Sequence, residues 1–246
     1  MTAPELNKRL YSERFNDFYR ALCRHRIKKI LSMVDENSGT FLDVGCGDGW
    51  IAENIAKETG MKPYGLELIE SNVKKCKKAG VNARACDLNS ARFPYKDNSF
   101  DFVLCSEVIE HVVNTEKLLG EIHRVLKPGK SAIITAPNIA CWYNRFLLLT
   151  GFMPHWIESG NENSYNMPWG IVSGHVRAFT RGALTEMVRD AGFEVEKVRG
   201  TRLSLRGQHE SGFQRAVIPF FTIVDSAFTK IPQFSTMIMV KARKPQ

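Results

Sequence analysis

The chain has 246 residues, of which 43% are apolar and 24% charged, with a net charge of +8. That suits one globular domain with a sizeable core, or a core with a small cap, and excludes a disordered or fibrous chain. The polar stretch 1–14 carries no secretory pattern and no apolar run is long enough to span a bilayer. Six cysteines without a CxxC pair fit reduced, cytosolic thiols better than a disulfide framework.

In chain order, the first forty residues place Leu6, Leu10, Phe18, Leu22 and Ile30 at helical spacing, which predicts one or two amphipathic helices as an N-terminal cap over 1–37. Strands and helices then alternate across 38–140. Strands are expected at TFLDVG (40–45), KPYGLEL (62–68), NARACDL (82–88), FDFVLCS (100–106) and SAIITAP (131–137). IAENIAKET and TEKLLGEIHRVL fill gaps as helices, the second stopping at KPGK, where Pro128 and Gly129 turn the chain. The basic run VKKCKKAG (73–80) admits nucleic acid or an anionic partner. It reads first as the wet face of a helix, with Val73, Cys76 and Ala79 turned inward. Short strands separated by helices imply a parallel sheet covered on both faces. A long irregular segment, 141–175, reads as a lid or acceptor-binding element. Over 176–246 the core resumes: Thr180 caps a helix with Leu184, Met187, Val188 and Ala191 as its apolar stripe, Gly192 stops it, and a strand follows. An apolar segment (213–231) reads by default as a core-facing helix, with a membrane-surface role as the other reading, and TMIMVKAR ends the chain as a strand. All of this fits a single domain.

FLDVGCGDGW (41–50) joins a strand ending in Asp43 to a turn with glycines at 45, 47 and 49 and then a helix. Glycine lets the backbone turn tightly and approach a ligand at the carboxyl end of the first strand. Glu67 ends the second strand, where a carboxylate can accept both hydroxyls of a ribose. Asp87 ends the third, placed to accept from an adenine amine.

LDVGCGDG, GLEL, ACDL, FPYKDNSFDFVLCSEVIEHV and EIHRVLKPGKSAIITAPN, in this order, resemble the class I S-adenosylmethionine-dependent methyltransferases. The resemblance implies a Rossmann-like, doubly wound sheet of seven strands, mostly parallel with an antiparallel last strand, and S-adenosyl-L-methionine as cofactor. It further implies that Asp43, Gly45, Cys46, Gly47 and Gly49 line the methionine end. Glu67 and its neighbour Leu68 would hold the ribose side, Asp87 and Leu88 the adenine edge, and Ser106 would sit under the sulfonium.

CSEVIEHV (105–112) puts Glu107, Glu110 and His111 in an apolar run. A helix beginning near Ser106 would gather these three on one face toward the acceptor cleft, with Val108, Ile109, Val112 and Val113 opposite. A histidine beside a carboxylate, His111 with Glu107, can act as a general base on an acceptor hydroxyl. Alternatively the carboxylates and imidazole form a ligand set for Mg²⁺, Mn²⁺, Fe²⁺ or Zn²⁺, with His175 from SGHVRAFT as a fourth ligand. The run also resembles the metal-dependent branch of the family, which includes ubiquinone-pathway O-methyltransferases and small-RNA 2′-O-methyltransferases. That implies Glu107, Glu110, His111 and His175 as metal ligands; salt bridges or orientation of the lid would account for the same residues without an ion.

APNIACWYNRFLLLTGFMP and GLELIESNVKKCKKAGV partly resemble methionine-biosynthesis W-type proteins, which leaves the acceptor open. Trp142, Tyr143, Trp156, Tyr165 and Trp169 either wall a pocket for an apolar or ring-bearing acceptor or anchor the lid. Methyl transfer to a hydroxyl or other nucleophile of a small molecule, with or without a divalent metal, is the favoured reading. RNA 2′-O-methylation and a non-catalytic cofactor-binding regulatory role are the alternatives, although no RNA-binding module is recognisable.

Overall fold

The computed structural model describes residues 17–90, 92–160, 165–166, 173–202 and 212–246. Helix α1 (Asp17–Leu31) precedes strand β1 (Thr40–Val44), helix α2 (Trp50–Thr59), β2 (Lys62–Glu67), α3 (Glu70–Lys78) and β3 (Asn82–Ala85). After β4 (Phe100–Ser106) come α4 (Thr115–Val125) and β5 (Leu126–Pro137). The chain ends with α5 (Trp142–Leu149), α6 (Arg181–Asp190), β6 (Glu194–Thr201), α7 (Gly212–Phe228) and β7 (Met237–Arg243).

The strands form one sheet in the order β3-β2-β1-β4-β5-β7-β6, with β1 to β5 parallel and β7 antiparallel to both neighbours. This is the doubly wound, seven-stranded α/β fold that the sequence implies. The central strands β1, β4 and β7 are buried on both faces, and side chains alternate between two cores. Phe41, Phe102, Leu104 and Ile133 face α1 to α3 through Ile30, Ile55, Val73 and Cys76. Leu42, Val44, Val103, Cys105 and Ile134 face α4 and α6 through Leu118, Ile122, Leu184 and Val188. The strand order reverses between β1 and β4, so a crevice opens beyond their carboxyl ends.

Several boundaries differ from expectation. β3 stops at Ala85, because its one neighbour β2 ends at Glu67, the partner of Ala85. β5 begins at Leu126, before the Pro128–Gly129 turn, since Leu126 already pairs with Phe100. α5 interrupts the segment expected to be irregular. Thr180 caps α6 as expected, its hydroxyl accepting from Ala183 N at 3.2 Å. The lysines of α3 are exposed, while Val73 and Cys76 are buried.

In the N-terminal region, Leu6 and Leu10 lie outside the described residues, as do the side chains of Phe18 and Leu22. The described part of α1 is more than a cap. Ile30 belongs to the core, Lys29 donates to Gly200 O at 2.5 Å, and Arg20 pairs with Asp48 at 3.0 Å. All six cysteines are buried. No described helix is long and apolar enough to cross a membrane.

Candidate active site

A cleft open to solvent lies at the carboxyl ends of β1, β2 and β4. Asp43, Gly45, Cys46, Glu67, Leu68, Asp87, Leu88 and Ser106 line it; Gly47 and Gly49 shape the turn without lining it. Asp48, Trp50, Ile51, Ile69 and Asn89 line it too, and nothing in their residue types singles them out in the sequence. Gly45 has φ 76°, and a Cβ there would stand 2.4 Å from Val108 Cγ2, so the turn admits no side chain.

Asp43 is 3% exposed, and its Oδ2 has no hydrogen-bond partner among the described residues. Burial pushes its pKa up to about 8; the Arg26 guanidinium pulls it down and Glu67 adds to the rise. A buried acceptor in this state lacks a donor, which a ligand N–H would supply. Glu67 is held by two backbone donors, Gly47 N on Oε2 at 3.0 Å and Ile69 N on Oε1 at 2.9 Å. Burial raises the Glu67 pKa while these donors lower it. Each oxygen keeps a second lone pair for a ligand hydroxyl. Asp87 accepts from Asn89 N at 3.0 Å and from the Ser90 hydroxyl at 3.1 Å, which fixes its carboxylate at the cleft edge. The glycine turn, the orphaned acceptor and the three spaced carboxylates fit a nucleoside that carries a cationic amino acid.

The Glu–Glu–His run corrects the helical reading. Glu107 takes the left-handed backbone conformation (φ 58°), and only a single 3-10 turn, Ile109–His111, follows. Glu107 and His111 line the cleft, but Glu110 is 2% exposed and lies behind it. Val113, expected on the buried side, is exposed. The turn is fastened from outside, with Val176 N and Arg177 N donating to Glu110 O at 2.8 and 3.1 Å. Glu107 accepts from the Thr135 hydroxyl at 2.7 Å and stands 3.6 Å from Arg26. Thr135 also bonds Ser106, Oγ to Oγ1, at 3.0 Å.

Glu110, His111 and His175 come together, with one ligand atom from each within 4.8 Å of the others; Glu107 is not in this group. Nδ1 of His111 faces Gly174 O at 3.0 Å, and Nδ1 of His175 faces Trp156 O at 3.3 Å. Carbonyl partners on one ring nitrogen orient an imidazole so that the other can ligate. A buried carboxylate and two oriented imidazoles fit a borderline divalent ion better than Mg²⁺, which prefers oxygen ligands. Glu158 organises this corner: its carboxylate accepts from Ser173 N and His175 N, both at 2.8 Å. No sequence motif marks Glu158, since its partners are backbone groups fifteen and seventeen positions on.

Three of the aromatic residues of 141–175, Trp142, Tyr143 and Trp156, anchor that segment. Trp142 donates to Asp225 Oδ1 at 3.2 Å and stacks on Phe228. Trp156 donates to the Tyr143 hydroxyl at 3.1 Å. None of the three lines the cleft, Tyr165 is exposed, and Trp169 lies outside the described residues.

Comparison with known proteins agrees with this geometry. A family model described as a methyltransferase domain matches residues 15–198. The norajmaline N-methyltransferase of Rauvolfia serpentina is 38% identical over 116 residues, which are 44% of this chain and 39% of that protein. The chain therefore spans well under two thirds of that relative's length. The ubiquinone biosynthesis O-methyltransferase of Rickettsia canadensis is 28% identical over 71% of both chains. Among solved structures, the methyltransferase bound to the Trm112 activator in Haloferax volcanii superposes with a TM-score of 0.69 at 15% identity. That match covers 100% of this chain and 98% of the other, a likeness of fold. With the family model covering most of its length, the chain belongs to the class I S-adenosylmethionine-dependent methyltransferases.

Proposed function

We propose that the protein transfers the methyl group of S-adenosylmethionine to a hydroxyl, or another nucleophile, of a small molecule. The observation that carries this reading is the convergence of Asp43, Glu67 and Asp87 on one cleft that also holds His111. Bound S-adenosylmethionine supplies a methyl group activated by a sulfonium. Asp43 and the turn Gly45–Cys46–Gly47 with Gly49 would hold the methionine end, Glu67 and Leu68 the ribose side, Asp87 and Leu88 the adenine edge, and Ser106 the region under the sulfonium. The likeness to an O-methyltransferase over 71% of both chains supports oxygen as the acceptor atom. Incubation with radiolabelled S-adenosylmethionine and a panel of phenols, alcohols and amines is expected to label a hydroxyl compound. Label appearing only in RNA would overturn the small-molecule reading.

His111 has two available roles that exclude each other. With Nδ1–H donated to Gly174 O, Nε2 is the basic nitrogen and can take the proton of an acceptor hydroxyl. Glu107, held by Thr135, would shape the electrostatics beside it. If Nε2 instead ligates an ion together with Glu110 and His175, that ion would lower the acceptor's pKa and His111 would take no proton. Elemental analysis after loading with Zn²⁺, Mn²⁺ or Fe²⁺ separates the two. The ligand reading expects about one ion per chain, lost in Glu110→Gln and His175→Ala. Wild-type protein that stays metal-free after loading would leave His111 as the base.

A further inference from the structure

Among the described residues nine large apolar side chains are exposed, and seven of them belong to two helices and the loops just after them. Phe146, Leu148 and Leu149 come from α5; Phe220 and Ile223 come from α7. Leu149 is 85% exposed, and Phe220 and Ile223 are 69% exposed each. Single exposed apolar residues are ordinary, but a cluster marks an interaction surface. The two helices are in contact, since the Trp142 ring meets Phe221 at 4.9 Å and Phe228 at 5.8 Å between centroids. Phe146 and Leu149 follow Trp142 at i+4 and i+7, on the same side of α5.

The charges of this face have one sign. The chain from Ile139 to Ile157 contains no acidic residue. The only acid of α7, Asp225, is buried and accepts from Trp142 and from the Thr236 hydroxyl. Arg145 and Lys230, carried by α5 and by the turn after α7, are exposed, with the Arg145 guanidinium over the Phe234 ring at 4.8 Å. A face that pairs apolar side chains with cations and, among the described residues, shows no exposed carboxylate matches the interface of an anionic bilayer. It matches a second copy of itself poorly, because its cations would meet cations. We propose that α5 and α7 form a docking face with which the protein lies on an anionic membrane surface. The face borders the lid wall: Trp142 meets Tyr143, whose hydroxyl accepts from Trp156, whose ring in turn meets His175.

Co-sedimentation of the full chain with vesicles of phosphatidylcholine, alone or mixed with phosphatidylglycerol, tests this. The mixed vesicles are expected to bind at least about ten-fold more tightly, because each basic residue at the surface is worth about five-fold. The double variant Leu149→Glu/Ile223→Glu is expected to lose about ten-fold or more, with an unchanged melting temperature because both positions are exposed. Arg145→Gln/Lys230→Gln is expected to lose mainly the preference for the anionic vesicles. The proposal fails if the wild type stays in the supernatant with both vesicles, or if the glutamate variant sediments as the wild type does. It also fails if light scattering shows a dimer that the glutamate variant dissociates, which would make the face a subunit interface.

Discussion

Asp43→Asn is expected to raise the melting temperature of the ligand-free protein at about pH 9 by roughly 5–10 °C, while weakening S-adenosylmethionine binding about ten- to a hundred-fold. The two effects share one cause. In the folded protein the Asp43 pKa stands at about 8 against an ordinary 3.8, raised first by burial. A carboxyl whose folded pKa is raised gives its full stability below the unfolded pKa and loses it as pH climbs toward the folded one. The penalty therefore grows between about pH 4 and pH 8, is flat above, and amounts to a few kcal/mol. Asparagine carries no charge to bury, so the difference between variant and wild type should vanish near pH 4 and reach its plateau above pH 8.

Binding runs the other way. S-adenosylmethionine carries a positive sulfonium at any pH and favours the ionised carboxylate, so binding near pH 7 should release most of a proton from Asp43, and near pH 9, where the carboxyl is already largely ionised, much less. Calorimetry in buffers of different ionisation enthalpy reads that number directly. A proton count near zero at pH 7 would show that Asp43 is not the group that meets the ligand's charge.

What the sequence shows of this molecule follows from how local each cause is. β1 and β4 are found to within a residue because they are central and almost wholly buried on both faces. The glycine turn is legible because a Cβ at Gly45 would stand 2.4 Å from Val108 and one at Gly49 2.8 Å from Cys76 Sγ. CSEVIEHV misleads for a definite reason. Acids and histidine at i, i+3 and i+4 suit a helix, and nothing in the residue types says that Glu107 adopts a positive φ. Thr135, from the neighbouring strand, holds that backbone, with its hydroxyl and carbonyl oxygens both accepting from Glu107 N. α5 is hidden for the opposite reason. Its apolar residues lie on the exposed side as well as the buried one, so no amphipathic stripe announces a helix. Glu158 and Arg26 matter through partners far along the chain, which residue spacing cannot reveal.

Arg26 supplies the other large effect. It comes from α1, is 5% exposed, stands 3.6 Å from Glu107 and donates to Cys23 Sγ at 3.1 Å. It is also the cation that opposes the burial-driven rise of the Asp43 pKa. Arg26→Met keeps much of the volume and removes the charge beside two acids that line the cleft. Loss of a buried cation from such a pair is expected to lower stability by about 3–5 kcal/mol. With the opposing cation gone, Asp43 should titrate at still higher pH, so the pH at which S-adenosylmethionine binding levels off should shift upward in the same variant. Arg26→Lys separates charge from shape: it should restore the pH midpoint toward wild type while recovering only part of the stability, because an ammonium lacks the planar fork of the guanidinium. A binding midpoint that does not move in Arg26→Met would mean that α1 packs on the sheet without tuning the cofactor cleft. A shift reversed by lysine would make α1 an electrostatic part of the site, acting through Asp43.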